Sequence, residues 1–320
     1  MSNSSSQARG YALVLTAAAL WGTLGLFYKV LIARFGLSPL TVASYRSMLA
    51  GLLLLIVLAL RQPRLLAVNR HDLPLLTAYG VFGVAGFFVA YAYAIDLVGV
   101  AVAAVLLYTA PAWVGLIAWR WLGETMHRRL LIALALTLIG SVLVTGLYDV
   151  SHLRLNGLGV LAGLGAGLGY GLWSVFNKVA VARYSAWTVQ TYALLIGAAC
   201  FLLLAPASQL ASPLALPPSW PWLLAMAVIP TLGGALTYSL GVRWVPVSVA
   251  SVVATLEPVI AGVLAYLLLG ERLTLLQILG GVAIISAVLL LRPREKRNAC
   301  LLYTSPSPRD RTRYRMPSSA

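Results

Sequence analysis

Leu256-Glu257-Pro258 lies inside the apolar run Val247–Leu269, and that run ends in Gly270-Glu271. An earlier stretch reads the same way. Pro111 lies inside the apolar run Val100–Leu122, which ends in Gly123-Glu124. Proline, glycine and glutamate each recur 147 positions later. Two long apolar segments that share an internal proline and a Gly-Glu exit indicate a duplicated chain. In membrane chains, two matching halves point to a transporter with its site between them.

The 320 residues are 61% hydrophobic and 10% charged, with a mean hydropathy of +0.90. Soluble domains are roughly 45–50% apolar and about 25% charged. The chain therefore reads as an all-α integral membrane protein, since only helices and closed barrels satisfy the backbone in lipid. Barrel strands alternate apolar and polar residues over about ten positions. Here apolar runs continue without alternation for about 18–25 residues, the length of a membrane-crossing helix. Ten runs are visible, at about 11–33, 39–60, 74–95, 100–122, 130–148, 157–181, 187–205, 221–242, 247–269 and 274–291. Turn-forming residues separate them, among them Gly36, Pro63, Gly99, Asn156-Gly157, Pro217-Pro218 and Pro246.

A net charge of +15 raises the possibility of nucleic acid. The basic residues sit instead in short loops and near the C-terminus, where they set topology. With a cytoplasmic N-terminus, Arg9, Arg61, Arg64, Arg70, Arg120, Arg128, Arg129, Lys178, Arg183, Arg243, Arg292, Arg294, Lys296 and Arg297 fall inside. Only Lys29, Arg34, Arg154 and Arg272 then fall outside. Both termini are expected in the cytoplasm. Five helices per half is an odd number, so the second half is expected to insert upside down.

The repeat runs beyond the opening stretch. Phe27-x-Lys29-Val30 returns as Phe176-x-Lys178-Val179, 149 positions on. Tyr45 matches Tyr192 and Tyr91 matches Tyr238, each at 147. The expected organisation is a cytoplasmic lead at 1–10, five-helix halves at 11–148 and 157–292, and a tail at 298–320. That tail is rich in Ser, Pro and Arg, suits disorder, and reads as vector- or linker-derived.

Glu257 is the one acid deep in an apolar run, about 15 Å from the start of its run at roughly 1.5 Å per residue. A carboxyl there must be protonated or partnered. One reading makes it a proton carrier or a ligand for a substrate amine. The other makes it a structural group, a protonated carboxyl bonding a neighbouring helix, with the Ala254 carbonyl that Pro258 frees as one candidate acceptor. The matching first-half residue is Ala110, so the fold alone does not require the acid. Pro111, Pro258 and Pro230 are expected either to shape a cavity or simply to bend helices. Lys29 and Lys178 read as side chains snorkelling from helix ends. Gly163, Gly167 and Gly171 form a smooth helix face for close packing. Glu124 and Glu271, each following a glycine, are expected to cap the next helix start.

Trp21 and Tyr170 match across the repeat, and Trp173 and Asn177 follow Tyr170 on one helical face. With Tyr91, Tyr108, Tyr238, Ser251 and Glu257 they make the expected substrate-binding set. Thr109, Thr231, Thr237 and Thr255 add hydroxyls at depth. Trp119, Trp121, Trp220, Trp222 and Trp244 sit at run ends and read as interfacial anchors. Two cysteines and three dispersed histidines give no disulfide framework and no metal-ligand set. No Walker loop and no Ser/His/Asp, Cys/His or paired-carboxylate arrangement is present, so no ATPase or hydrolase chemistry is expected.

The two five-helix halves, Leu256-Glu257-Pro258-Val259 and the repeated Gly-Glu exit resemble the EamA-type members of the drug/metabolite transporter superfamily. Within it, the chain is similar to the YddG-like exporters of aromatic and other amino acids. The resemblance covers about residues 11–292. It implies a ten-helix basket with a central cavity, no ATP, and export or exchange of small metabolites. The leading expectation is an exporter of amino acids, aromatic ones favoured, that works by alternating access across the bacterial inner membrane without a cofactor. Ala110-Pro111 departs from the Glu-Pro pattern. The expected partners are the lipid bilayer and a small-molecule substrate, with no nucleic acid; monomer or dimer stays open. A permease for another small organic solute, or a non-transporting scaffold or sensor, stays open. A sealed apolar interior would favour the scaffold.

Overall fold

The computed structural model describes residues 4–147, 156–270 and 272–292. The expectations for Arg154, Glu271, Arg294, Lys296, Arg297 and the 298–320 tail lie outside the described residues.

Each of the ten apolar runs forms helix. We number them α1 (Ser6–Ala33), α2 (Pro39–Arg61), α3 (Arg70–Val98), α4 (Val100–Trp121), α5 (Arg128–Val144), α6 (Gly157–Val181), α7 (Ala186–Leu204), α8 (Pro217–Gly241), α9 (Val247–Leu268) and α10 (Leu275–Leu290). Among the described residues, eight are long and apolar enough to cross a membrane. The other two, α5 with 17 residues and α10 with 16, are shorter and pack on each other. Their contact is backbone to backbone. A Cβ at Gly140 would lie 2.8 Å from the Gly280 carbonyl oxygen, and one at Gly280 would lie 2.7 Å from that of Gly140.

The duplication holds at the level of helix irregularities. In α4 the helix stops at Leu107 and restarts at Ala110; in α9 it stops at Ala254 and restarts at Glu257. Pro111 and Pro258 sit in the first turn after each break. A missing N–H is harmless there, because first-turn donors have no intrahelical partner. In α9, two i→i+3 bonds, Thr255 N to Val252 O and Leu256 N to Val253 O, tighten the break. The prolines thus interrupt their helices rather than bend them. In α3 and α8 a widened π-helical turn occupies Tyr79–Gly86 and Ala227–Gly233. Pro230 lies in the second, but Gly83 stands at the matching place in the first, so the wide turn does not depend on proline.

The start of α2 meets the segment after α7, and the start of α7 meets the segment after α2. Thr41 and Tyr45 donate to the carbonyls of Gln209 and Leu210 at 3.2 and 2.8 Å. Their counterparts Thr188 and Tyr192 donate to Leu65 and Leu66 at 2.7 and 2.8 Å. Ser38 and Ser185 cap the two helices in the same way, accepting from Thr41 N and Thr188 N. The matching helices α2 and α7 therefore run antiparallel.

The glycines of α6 behave as packing residues. A Cβ at Gly163 would lie 2.5 Å from Leu106, one at Gly167 2.7 Å from the Leu106 carbonyl oxygen, and one at Gly171 3.1 Å from Trp113. This face lies flat on α4, and that contact brings Tyr170 and Trp173 to the centre of the molecule.

Trp119, Trp121, Trp222 and Trp244 are exposed at helix ends, as anchors require. Trp220 differs: its indole N–H donates to Pro213 O at 3.1 Å and its ring meets Tyr45 edge-on at 5.7 Å.

Candidate functional site

A cavity of about 750 Å³ opens between the two halves. Its mouth is formed where α1 ends and α2 begins, at Ala33 and Pro39, and where α4 begins, at Val100. Roughly 300–1,000 Å³ is the usual range for a small-molecule site.

Six of the nine expected residues line it: Trp21, Tyr91, Tyr108, Tyr170, Trp173 and Glu257. Trp21 and Trp173 meet edge-on with centroids 5.5 Å apart. Tyr170 lies 6.4 Å from Trp21 and 6.1 Å from Trp173, and stacks on Phe87 at 5.5 Å. Tyr238 is fully buried behind this wall, 5.4 Å from Trp21 and 5.0 Å from Trp173, and holds both rings in place. Asn177 lies one helical turn beyond Trp173, wholly buried, and neither amide atom has a partner among the described residues. Ser251 also falls outside the lining; its hydroxyl returns to its own helix at Ser248 O, 2.9 Å away. Thr109, Thr237 and Thr255 lie outside the lining too, each bonding a backbone carbonyl of its own helix. Thr231 also bonds its own helix, at Met226 O, but lines the cavity.

Glu257 is the first residue of the restarted helix in α9, where the helix dipole favours a carboxylate. It is half-buried, faces the cavity, and forms no hydrogen bond or ion pair among the described residues. The candidate bond to the Ala254 carbonyl is not made. The break at Thr255-Leu256 turns the side chain into the cavity instead of back along the helix.

Arg46, Gln190 and Phe88 line the cavity and are not among the expected residues. Arg46 is 8% exposed, and its guanidinium lies over the Phe88 ring, 4.5 Å from the centroid. A signal existed for Arg46, which is the only charged residue in the run 39–60. Gln190 is wholly buried, donating to Tyr79 Oη at 3.0 Å and Ser239 Oγ at 2.9 Å.

The end of the molecule opposite the mouth is tied shut. Glu124 accepts from Val247 N at 2.7 Å, from Ser248 N at 3.1 Å and from the Ser248 hydroxyl. It therefore caps a helix start, but that of α9 in the other half; the next helix, α5, is capped by His127. Lys178 does not snorkel outward. Its ammonium donates to the carbonyls of Val242 and Val245 after α8. Asp72 pairs with Arg183 and accepts from Tyr184 Oη at 2.6 Å, while Arg243 donates to Tyr184 O at 2.6 Å. Lys29, the repeat partner of Lys178, lies at the open mouth.

The EamA-like transporter family matches residues 8–146 and again 157–292. An uncharacterized transporter of Archaeoglobus fulgidus is 32% identical over 88% of this chain and 95% of its own length. A Streptantibioticus cattleyicolor protein named "probable terminal-alkyne amino-acid exporter" is 27% identical over 82% of this chain and 84% of its own. The inner membrane transporter YicL of Salmonella typhimurium is 25% identical over 92% and 98%. A crystal structure superposes with a TM-score of 0.74 at 19% identity, covering 88% of this chain and 95% of that one, which shows a shared fold. With the family matching both halves and an aromatic cavity lying between them, the chain is a multi-pass membrane transporter, not an enzyme, and belongs to the EamA-like transporter family.

Proposed function

We propose that the chain exports amino acids, aromatic ones favoured, and related small metabolites across the bacterial inner membrane. It does so by alternating access between two inverted five-helix halves, residues 11–148 and 157–292, that together cross the membrane ten times. The observation that carries this reading is a cavity open at one end and tied shut at the other, with its floor built from Trp21, Tyr170 and Trp173. Aromatic faces suit a ring or alkyl side chain. The antiparallel α2 and α7, and the placement of Lys29 and Lys178 at opposite ends, support the inversion. The name of the Streptantibioticus relative supports the amino-acid class. An interior cavity with polar groups disfavours the sealed scaffold.

In cells loaded with labelled phenylalanine, expression of the chain is expected to speed efflux over a control lacking it. Equal efflux would reject the export reading. Orientation has its own test. In a background with Cys200 and Cys300 replaced by serine, Ser208→Cys should react with a membrane-impermeant maleimide added outside, while Arg64→Cys and Arg128→Cys should react only after the membrane is opened. All three positions are exposed. The reverse pattern would invert the topology.

A further inference from the structure

We infer that the cavity reads its substrate as a zwitterion, with Arg46 taking a carboxylate, Glu257 taking an ammonium group, and the Trp21–Tyr170–Trp173 wall taking the side chain. This rests on the amino-acid reading above and assigns its recognition groups.

Arg46 carries a permanent positive charge into the interior of the protein. The Phe88 ring covers one face of its guanidinium. A ring offers nothing to the N–H edge, and the buried Nε has no partner among the described residues. A buried donor on a charged group is costly to leave unmet. The acceptor that matches a guanidinium edge is a carboxylate, bound through two parallel hydrogen bonds.

Glu257 presents a carboxyl to the same cavity, and the partner such a buried acid requires to ionise is a cation such as an ammonium group. Arg46 is the charged group that acts on it, yet no ion pair joins the two. Both are left open to a ligand. The repeat sharpens the point. The counterpart of Arg46 in the second half is Ala193, and the counterpart of Glu257 in the first is Ala110. Each half contributes one charge that its twin folds without, so neither charge is a requirement of the helix it stands on. Lys29 is the other charged side chain lining the cavity, and it belongs to the mouth. A ligand whose one central carbon bears an anionic group, a cationic group and an apolar side chain satisfies all three parts of the site.

Three ligands with one ring decide the matter: L-phenylalanine, 3-phenylpropionate and 2-phenylethylamine, titrated calorimetrically into purified protein at neutral pH. Wild type should bind phenylalanine about 10- to 100-fold more tightly than either single-charge analogue, the range set by one charged hydrogen-bonded contact. Arg46→Gln should weaken phenylalanine and phenylpropionate by a similar factor and leave phenylethylamine unchanged. Glu257→Gln should do the converse. If wild type binds either analogue as tightly as phenylalanine, or if phenylalanine affinity survives in both variants, the zwitterion assignment is overturned while the amino-acid reading stands. If folded wild type binds none of the three, nor leucine, the amino-acid reading fails and takes this inference with it. The wild-type series decides even if a variant does not fold.

Discussion

Trp173→Ala is expected to reduce transport to background and to lower thermal stability. Trp173 is 8% exposed and touches four rings: Tyr238 at 5.0 Å, Trp21 at 5.5 Å, and Tyr79 and Tyr170 at 6.1 Å each. Truncating a buried aromatic costs about 3–5 kcal/mol through lost contacts and the void left behind. The void here would join the cavity, so it removes a binding surface as well as packing. Trp173→Phe retains most of the apolar area and should keep the fold with reduced transport. Melting of the detergent-purified variants, followed by chromatography, separates the two effects. Normal transport by a folded Trp173→Ala protein would show that the cavity floor is not where substrate binds.

The second large effect is expected at Glu124. Its carboxylate meets two backbone N–H groups and a hydroxyl at the start of α9. The acid comes from the first half and the helix from the second, so this contact spans the closed end. Loss of a cap costs about 0.5–2 kcal/mol, with a further contribution of about 0.3–1 kcal/mol from the helix dipole. If the contact belongs to one transport state and not the other, that energy is a population shift of about tenfold per 1.4 kcal/mol. Ser174→Cys, at a buried position next to Trp173, is the reporter. In Glu124→Ala, its labelling from the closed face should rise about tenfold over the Glu124 parent. Glu124→Gln keeps the shape and loses the charge, so it should fall between them. Equal labelling in all three would mean that the contact stabilises the fold without holding this end closed.

Much of this arrangement is legible in the sequence, because a duplication constrains two segments at once. Pro111 and Pro258, and Tyr45 and Tyr192, each mark positions where the halves build the same feature. The aromatic floor is legible for the same reason, through Trp21 and Tyr170. What a single sequence hides is direction within a helix. Ser251 and Thr255 sit at the right depth, yet their hydroxyls bond to their own backbone. Contacts between distant segments are hidden too. Glu124 reads as a local cap and is a long-range one, since its spacing from Val247 carries no periodic signal. Arg46 breaks the repeat, with alanine at its matching position, so a search for matched pairs passes over it. The same asymmetry later marks it, with Glu257, as a residue the fold does not need.

The central claim is that the cavity between the halves carries amino acids across the membrane. Counterflow tests it most directly. Purified protein is reconstituted into liposomes loaded with excess unlabelled phenylalanine and diluted into a trace of labelled phenylalanine. The expected result is a transient accumulation of label that is absent from protein-free liposomes and from Trp173→Ala. No exchange of phenylalanine or any other amino acid by folded, reconstituted wild-type protein would contradict it.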